Sequence, residues 1–281
     1  MRMPPKPIDS PHLVLPDKPI DLAKVPTDAS GADVDKAEAK RLTQKHLDRL
    51  GELQEILFAQ AKHAILIVFQ AIDTGGKDST IRNIFGGVNP QGVSVASFRV
   101  PTHLELSHDF LWRYHQQCPT KGQIRIFNRS HYESVLVERV KQIVPEAVWQ
   151  RRYEQLNQFE QMLAEEGTTI LKFFLHISKE EQAQRFRDRL QDPRKWWKFN
   201  EADLEERRRW PAYQTAFQDA VNRCSTPWGR WYVIPSDQKW YRNLQVASIV
   251  RETLEAVDPQ YPQPAAGMSG KIEEFLKTLE D

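Results

Sequence analysis

Several things are scarce in this chain, and each scarcity excludes a class of protein. Only 2 of the 281 residues are cysteine; Cys118 and Cys224 are far apart and have no metal-type spacing. Both are therefore read as reduced thiols, and a disulfide framework is excluded. Excess charge is also missing: 39 Lys and Arg stand against 38 Asp and Glu, a formal +1. That balance rules out a general basic coat for nucleic acid or anionic lipid. No apolar run approaches the ~18 residues of a membrane span. The opening MRMPPKPIDS lacks the apolar core of a secretory signal, so a cytoplasmic location is expected. No Phe, Trp or Tyr precedes Phe58, whereas Pro4, Pro5, Pro7, Pro11, Pro16, Pro19 and Pro26 crowd the first 26 residues. Residues 1–33 are accordingly read as an extended arm that buries little surface and holds no helix, lying over the body or a partner subunit.

Beyond the arm the pattern changes. Asp33 or Asp35 can cap a helix whose Leu47, Leu50, Leu53, Ile56 and Leu57 form one apolar stripe. His63-Ala-Ile-Leu-Ile-Val-Phe69 then reads as a strand buried on both faces. Candidate strands fall at 64–70, 93–99, 123–128, 169–177 and 230–235. Helical stretches fall at about 79–85, 103–117, 131–143, 146–166, 179–191, 202–223 and 240–256. Strand and helix in alternation imply right-handed crossovers and a parallel sheet of about five strands. The expected fold is therefore α/β, a three-layer α/β/α sandwich over residues 34–258. Residues 259–281 form a Pro/Gly/Ala-rich tail with a short amphipathic helix near 270–279.

The sharpest feature follows the first strand: Ala71-Ile-Asp-Thr-Gly-Gly-Lys-Asp-Ser-Thr80, then a helix. Strand, glycine turn, lysine and helix is the arrangement that wraps backbone N–H groups around a phosphate. Against the phosphate-loop pattern G-x-x-x-x-G-K-[ST] it matches at Gly76 and Lys77 and departs at Ala71 and Asp78. Thr74, Gly75, Gly76, Lys77, Asp78, Ser79 and Thr80 are the candidate phosphate cradle. The bland alternative is a Gly-Gly turn with a solvated lysine. Asp73 is out of place among phosphate-binding amides unless a divalent cation lies between, so it is a candidate Mg²⁺ ligand; otherwise it merely closes the turn.

The strand at 124–128 ends in Asn128 where phosphate-loop proteins usually carry an acid for the metal. Arg129 suits a bidentate phosphate contact and could equally be an ordinary surface arginine. Glu133 could serve the metal or an acceptor nucleotide, or be a helix first-turn acid, and His131 is better read as packing than as catalytic. Ser178 to Trp210 carries Arg185, Arg189, Lys195 and Lys198 around Pro193, like the lid that closes on phosphates in small kinases. Its acids nearly match its bases, so a solvated helical pair is the competing reading. Interleaved Arg and Trp could stack single-stranded bases, but nothing else resembles a nucleic-acid module. Asp237, Lys239 and Arg242 fall near the same crevice, or simply start a helix.

Together these residues resemble the polyphosphate kinase family 2. The likeness rests on Asp73, Gly76 and Lys77, and on Asn89-Pro90, Pro101-Thr102 and Phe127-Asn-Arg-Ser-His-Tyr-Glu133. It continues through the Ser178–Lys198 segment with Asp192-Pro193, and Trp231-Tyr-Val-Ile-Pro235, spanning roughly residues 40–262. Asn128 and Glu133 stand where most members carry Asp and Asn, a variant that looks like the class accepting both AMP and ADP. The resemblance implies a phosphate-loop kinase fold with a lid at about 178–210 and phosphoryl transfer from inorganic polyphosphate to adenine nucleotides, with guanine nucleotides possible. It further implies Mg²⁺ (or Mn²⁺) held by Asp73 with Glu133 as the substitute second ligand, and catalytic roles for Asp73, Lys77, Arg129, Arg185 and Arg189. Asn128, Arg129 and Glu133 would meet the nucleotide, Lys198 the phosphate chain, and the protein would be a homo-oligomer without nucleic-acid or membrane partners. An ATP-dependent nucleoside monophosphate kinase and a non-catalytic nucleotide-binding switch are the rival readings.

Overall fold

A computed structural model describes residues 5–264 and 267–279; the remaining parts of the arm and tail lie outside the described residues. Five strands, β1 (Ala64–Gln70), β2 (Val93–Ser97), β3 (Ile124–Asn128), β4 (Thr168–His176) and β5 (Gly229–Pro235), form one parallel sheet in the order β2-β3-β1-β4-β5. Every residue of β1 and β4 is buried, as expected for strands covered on both faces.

The helices are α1 (Lys36–Gln60), α2 (Lys77–Phe85), α3 (His103–Leu106), α4 (Trp112–His115), α5 (Val137–Val140), α6 (Glu146–Glu165), α7 (Lys179–Gln191), α8 (Ala202–Arg208), α9 (Trp210–Arg223), α10 (Lys239–Val257) and α11 (Met268–Thr278). Alternation along β1 divides the core. Ile65, Ile67 and Phe69 face α1, α2 and α10, while Leu66 and Val68 face α6 and α9. The molecule is thus a three-layer α/β/α sandwich.

Three expected helices are broken. Residues 103–117 form α3 and α4 separately, because Asp109 turns its carboxylate onto the Leu111 N–H at 2.9 Å and competes with helix continuation. Residues 131–143 form a 3-10 turn (His131–Ser134) and α5. The stretch 202–223 divides at Arg209, since Pro211 lacks an N–H and sits in the first turn of a new helix.

The arm buries more than its composition implies. Val14 and Leu22 are buried, and Leu22–Lys24 makes a 3-10 turn capped by Asp21. The Val14 N–H donates to Trp231 O and the Val233 N–H to His12 O, each at 2.9 Å, so the arm continues the sheet past β5 as an antiparallel edge. Asn222 and Gln218 of α9 bond the backbone of Ile20 and Leu22. The arm's amides are satisfied by the body, and its prolines cause no loss at an outer edge.

Candidate active site

Parallel strands deliver all their carboxyl ends to one side, and there the candidate residues meet. β1 runs into the glycine turn, β3 into Asn128 and Arg129, β4 into the Ser178 cap of α7, and β5 into Ser236 and α10.

The turn is tight for steric reasons. The Gly75 N–H bonds Ile72 O at 2.9 Å, and a Cβ on Gly75 would lie 2.5 Å from the Ala71 Cβ. Gly76 has φ +101°, and a Cβ there would lie 2.2 Å from Arg242 Nη1. The hydroxyls of Ser79 and Thr80 both donate to Gly76 O, at 2.9 and 3.0 Å, tying the first turn of α2 to the loop. Lys77 closes the loop by donating from Nζ to Ala71 O at 3.0 Å. Burial, helped by the neighbouring Arg129 charge, lowers the Lys77 pKa from its ordinary value.

Arg129 is held with φ +63°, an uncommon conformation for a non-glycine residue. Its N–H donates to Phe69 O at 3.2 Å, and its guanidinium spans two acids: Nη2 to Asp73 Oδ1 at 3.0 Å and Nη1 to Glu133 Oε2 at 3.4 Å. Those charges, Glu133 foremost, raise the Arg129 pKa against its burial. Asn128 donates to Asp78 Oδ1 at 2.7 Å, so the loop's departure at Asp78 is partnered by the departure at the end of β3. Asp73, Arg129 and Glu133 thus form one bonded cluster and Asp78 and Asn128 a second pair, and the charges of Arg129, Asp73, Glu133 and Asp78 all act on the Lys77 ammonium. His131 is buried and bonds Glu160 at 3.0 Å, away from solvent.

The α7 residues divide in role. Arg185 is buried with its donors engaged: Nε to Glu181 at 2.7 Å, Nη1 to Thr74 O at 3.0 Å, and Nη2 to Ser236 O at 2.5 Å. It braces the glycine turn. Arg189, four residues on, reaches Lys198 O at 3.3 Å and lies 3.9 Å from Asp203 on α8. Burial lowers its pKa while the charges of Asp203, Asp73 and Asp78 oppose that. Lys198 is exposed, its ammonium 4.8 Å above the Trp197 ring, and is not gathered into the cluster.

Three residues at the site escaped the sequence reading or were left without a role in it. Gln182 is buried and donates to Asp73 O at 2.9 Å; it shares a helical face with Arg185 and Arg189, a spacing that could have revealed it. Asp203, 3.9 Å from Arg189, has its pKa raised by burial and then by the charge of Asp73. Arg242 lies beneath Gly76.

Residues 33–262 match the family described as Polyphosphate kinase 2. The chain belongs to that family. It is 55% identical over 254 residues to the AMP/ADP-polyphosphate phosphotransferase of Meiothermus ruber, covering 90% of this chain and 95% of that protein. It is 41% identical to the ADP-polyphosphate phosphotransferase of Rhodopseudomonas palustris, covering 87% and 89%. The crystal structure of polyphosphate kinase 2 from Arthrobacter aurescens TC1 superposes with a TM-score of 0.90 at 37% identity, covering 96% of this chain and 95% of that one. As a polyphosphate kinase 2 member, the chain is a phosphotransferase with a phosphate-loop kinase fold.

Proposed function

We propose that this protein transfers phosphoryl groups reversibly between inorganic polyphosphate and AMP or ADP, with guanine nucleotides as possible further acceptors. The observation that carries this reading is the convergence of Asp73, Lys77 and Arg129 on one glycine turn at the carboxyl end of the sheet, in a chain 55% identical to an enzyme named for both nucleotides.

The acceptor is a nucleotide phosphate, with a second pKa of ~6, and is already largely ionised at pH 7. No general base is required. What the site must supply is positioning of two polyanions and stabilisation of the charge moving between them. Lys77, the amides of the turn and Arg129 would hold the transferred group. Asn128 and Glu133 border the acceptor. The α7–α8 hairpin would act as a lid, with Arg189 and Lys198 contributing its charge and Arg185 already committed to bracing the turn.

Asp73 and Glu133 fit a divalent cation: two hard carboxylate oxygens flank the same guanidinium, beside a turn suited to phosphate oxygens. Among the described residues no cluster of three or more acids, His or Cys would bind a metal alone. A pair of carboxylates would leave positions open for water and phosphate oxygens, the mode in which Mg²⁺ (or Mn²⁺) binds. When bound it would neutralise charge on the phosphates.

The same reading places the enzyme in the cytoplasm as a homo-oligomer. No helix of the described residues is long and apolar enough to cross a membrane. Val100, Leu104 and Leu106 expose apolar side chains near the edge strand β2, which supports association and is testable by sedimentation.

The deciding experiment incubates the protein with Mg²⁺, long-chain polyphosphate and AMP, then with ADP, and follows ATP. ADP followed by ATP is expected from AMP. Nucleotide phosphorylation only when ATP is the donor would replace this reading with a monophosphate kinase, and binding without transfer would replace it with a switch.

A further inference from the structure

Five cationic side chains among the described residues are buried: Arg113, Arg152, Lys172, Arg185 and Arg242. Four have a carboxylate. Arg113 lies 3.1 Å from Glu105, Arg152 2.6 Å from Glu138, Lys172 2.5 Å from Glu160 and Arg185 2.7 Å from Glu181. Arg242, wholly buried in the first turn of α10, has none.

Its bonds go to neutral groups. Nε and Nη2 donate to Asn243 Oδ1 at 3.2 and 2.9 Å, and Nη2 to Ser79 Oγ at 3.3 Å. Among the described residues Nη1 has no hydrogen-bond partner. That atom lies directly under the glycine turn, 2.2 Å from where a Gly76 Cβ would stand, and the same position is 3.4 Å from Nη1 of Arg185. The neighbouring charge is therefore another cation. Burial, then Arg185, brings the Arg242 pKa down from its ordinary value to about 9, so it still carries its proton at neutral pH.

A buried charge with no counter-charge opposes folding, and natural chains seldom keep one without compensation. The compensation here lies across the turn. Gly76 is bare, its φ and missing Cβ let the guanidinium approach from below, and the hydroxyl of Ser79 joins Arg242 to the first turn of α2. A phosphate cradled above the turn would be the nearest anion to Arg242.

We propose that Arg242 is a positioning residue whose counter-charge is the phosphoryl group bound in the glycine turn, so that substrate binding, not folding, satisfies it. The proposal rests on the reading of that turn as the phosphate site. Acting through Gly76 and Ser79, the buried cation keeps the turn open toward an anion and strengthens the field at the reacting phosphate, while its own position is closed to solvent.

The test uses the full chain as wild type, Arg242→Met and Arg242→Lys. Unfolding temperature is measured without ligand and with sodium tripolyphosphate, and KM and kcat are measured with polyphosphate. Without ligand the Met variant should be at least as stable as wild type, because an unpaired buried charge has been removed. With tripolyphosphate its rise in Tm should be smaller, and its KM for polyphosphate higher by about tenfold or more. The Lys variant, which keeps the charge without the fork, should recover most of the ligand-induced rise. The proposal is overturned if Arg242→Met is destabilised without ligand but keeps the full rise and the wild-type KM, for Arg242 would then be only a brace. Should the Met variant not fold, a Lys variant that loses the ligand-induced rise also overturns it. No rise even in wild type would sink the phosphate reading of the turn along with it, whereas equal rises in all three chains would sink this proposal alone.

Discussion

At the scale of single residues, the glycine turn depends on what is missing from it. Gly76 combines a positive φ with a Cβ position occupied by Arg242, so Gly76→Ala must strain the backbone and displace a guanidinium together. A loss of at least about 1–3 kcal/mol is expected from urea denaturation, with phosphoryl transfer falling alongside. Lys77→Ala removes the cation that closes the turn onto Ala71 O and should lower turnover at least ~10²-fold at saturating substrate. Steady-state rates within tenfold of wild type would remove Lys77 from the chemistry. Both residues were legible in the sequence, because a turn, a lysine and a helix are contiguous and their chemistry is local. Gln182 and the function of Arg242 were not. They reach the turn only because β4 pairs beside β1 and β5 beside β4, an adjacency made by the sheet order over more than a hundred residues of chain.

At the scale of elements, the strands were legible because apolar runs of β-branched residues have one good home in an α/β fold. The helix breaks near Asp109 and Pro211 were less so, since local side-chain bonds and a missing N–H override an otherwise continuous pattern. The arm is more instructive: of the two places open to it, body or partner subunit, it lies along the body, at an edge that its composition does not reveal. Two histidines hold it there. His12 Nε2 lies 3.2 Å from the Tyr241 hydroxyl, and His176 Nε2 lies 3.2 Å from Leu22 O. Burial lowers the His12 pKa from 6.5 to about 4 and lowers that of His176 as well, although Asp237 opposes the latter. Histidines of depressed pKa are neutral when docked and take up protons when released. Their contribution to docking is therefore complete above pH 6.5 and is lost as pH falls toward 4. Hydrogen exchange at the Val14 and Val233 amides should accelerate at pH 5 relative to pH 7.5, once intrinsic rates are corrected for. In a His12→Gln, His176→Gln double variant that difference should largely disappear, and its persistence would assign the acid sensitivity to other groups.

At the scale of the whole molecule, the site and the core are joined by buried charge. Lys172, in the middle of β4, donates to Glu160 of α6, to the Tyr132 hydroxyl at 2.9 Å and to Cys224 O at 2.7 Å. Glu160 in turn accepts from Tyr132 at 2.8 Å and bonds His131 at 3.0 Å. Burial alone would push the Glu160 carboxyl up, but Lys172 and His131 carry it below its ordinary value, so it is ionised within the core. This network anchors residues 130–132, immediately beside Arg129, and ties that turn to helices and strands on the far side of one sheet face. Removing one partner should be worse than removing both. Lys172→Met leaves an ionised Glu160 without its cation and is expected to lose about 3–5 kcal/mol in chemical denaturation. Lys172→Met combined with Glu160→Gln removes both charges and should regain a substantial part of that stability, because what the single variant suffers is chiefly an uncompensated carboxylate. If the double variant is as unstable as the sum of the two singles, shape and packing govern the network instead. If it regains stability but stays slow in phosphoryl transfer, the buried pair is retained for the placement of Arg129 more than for folding.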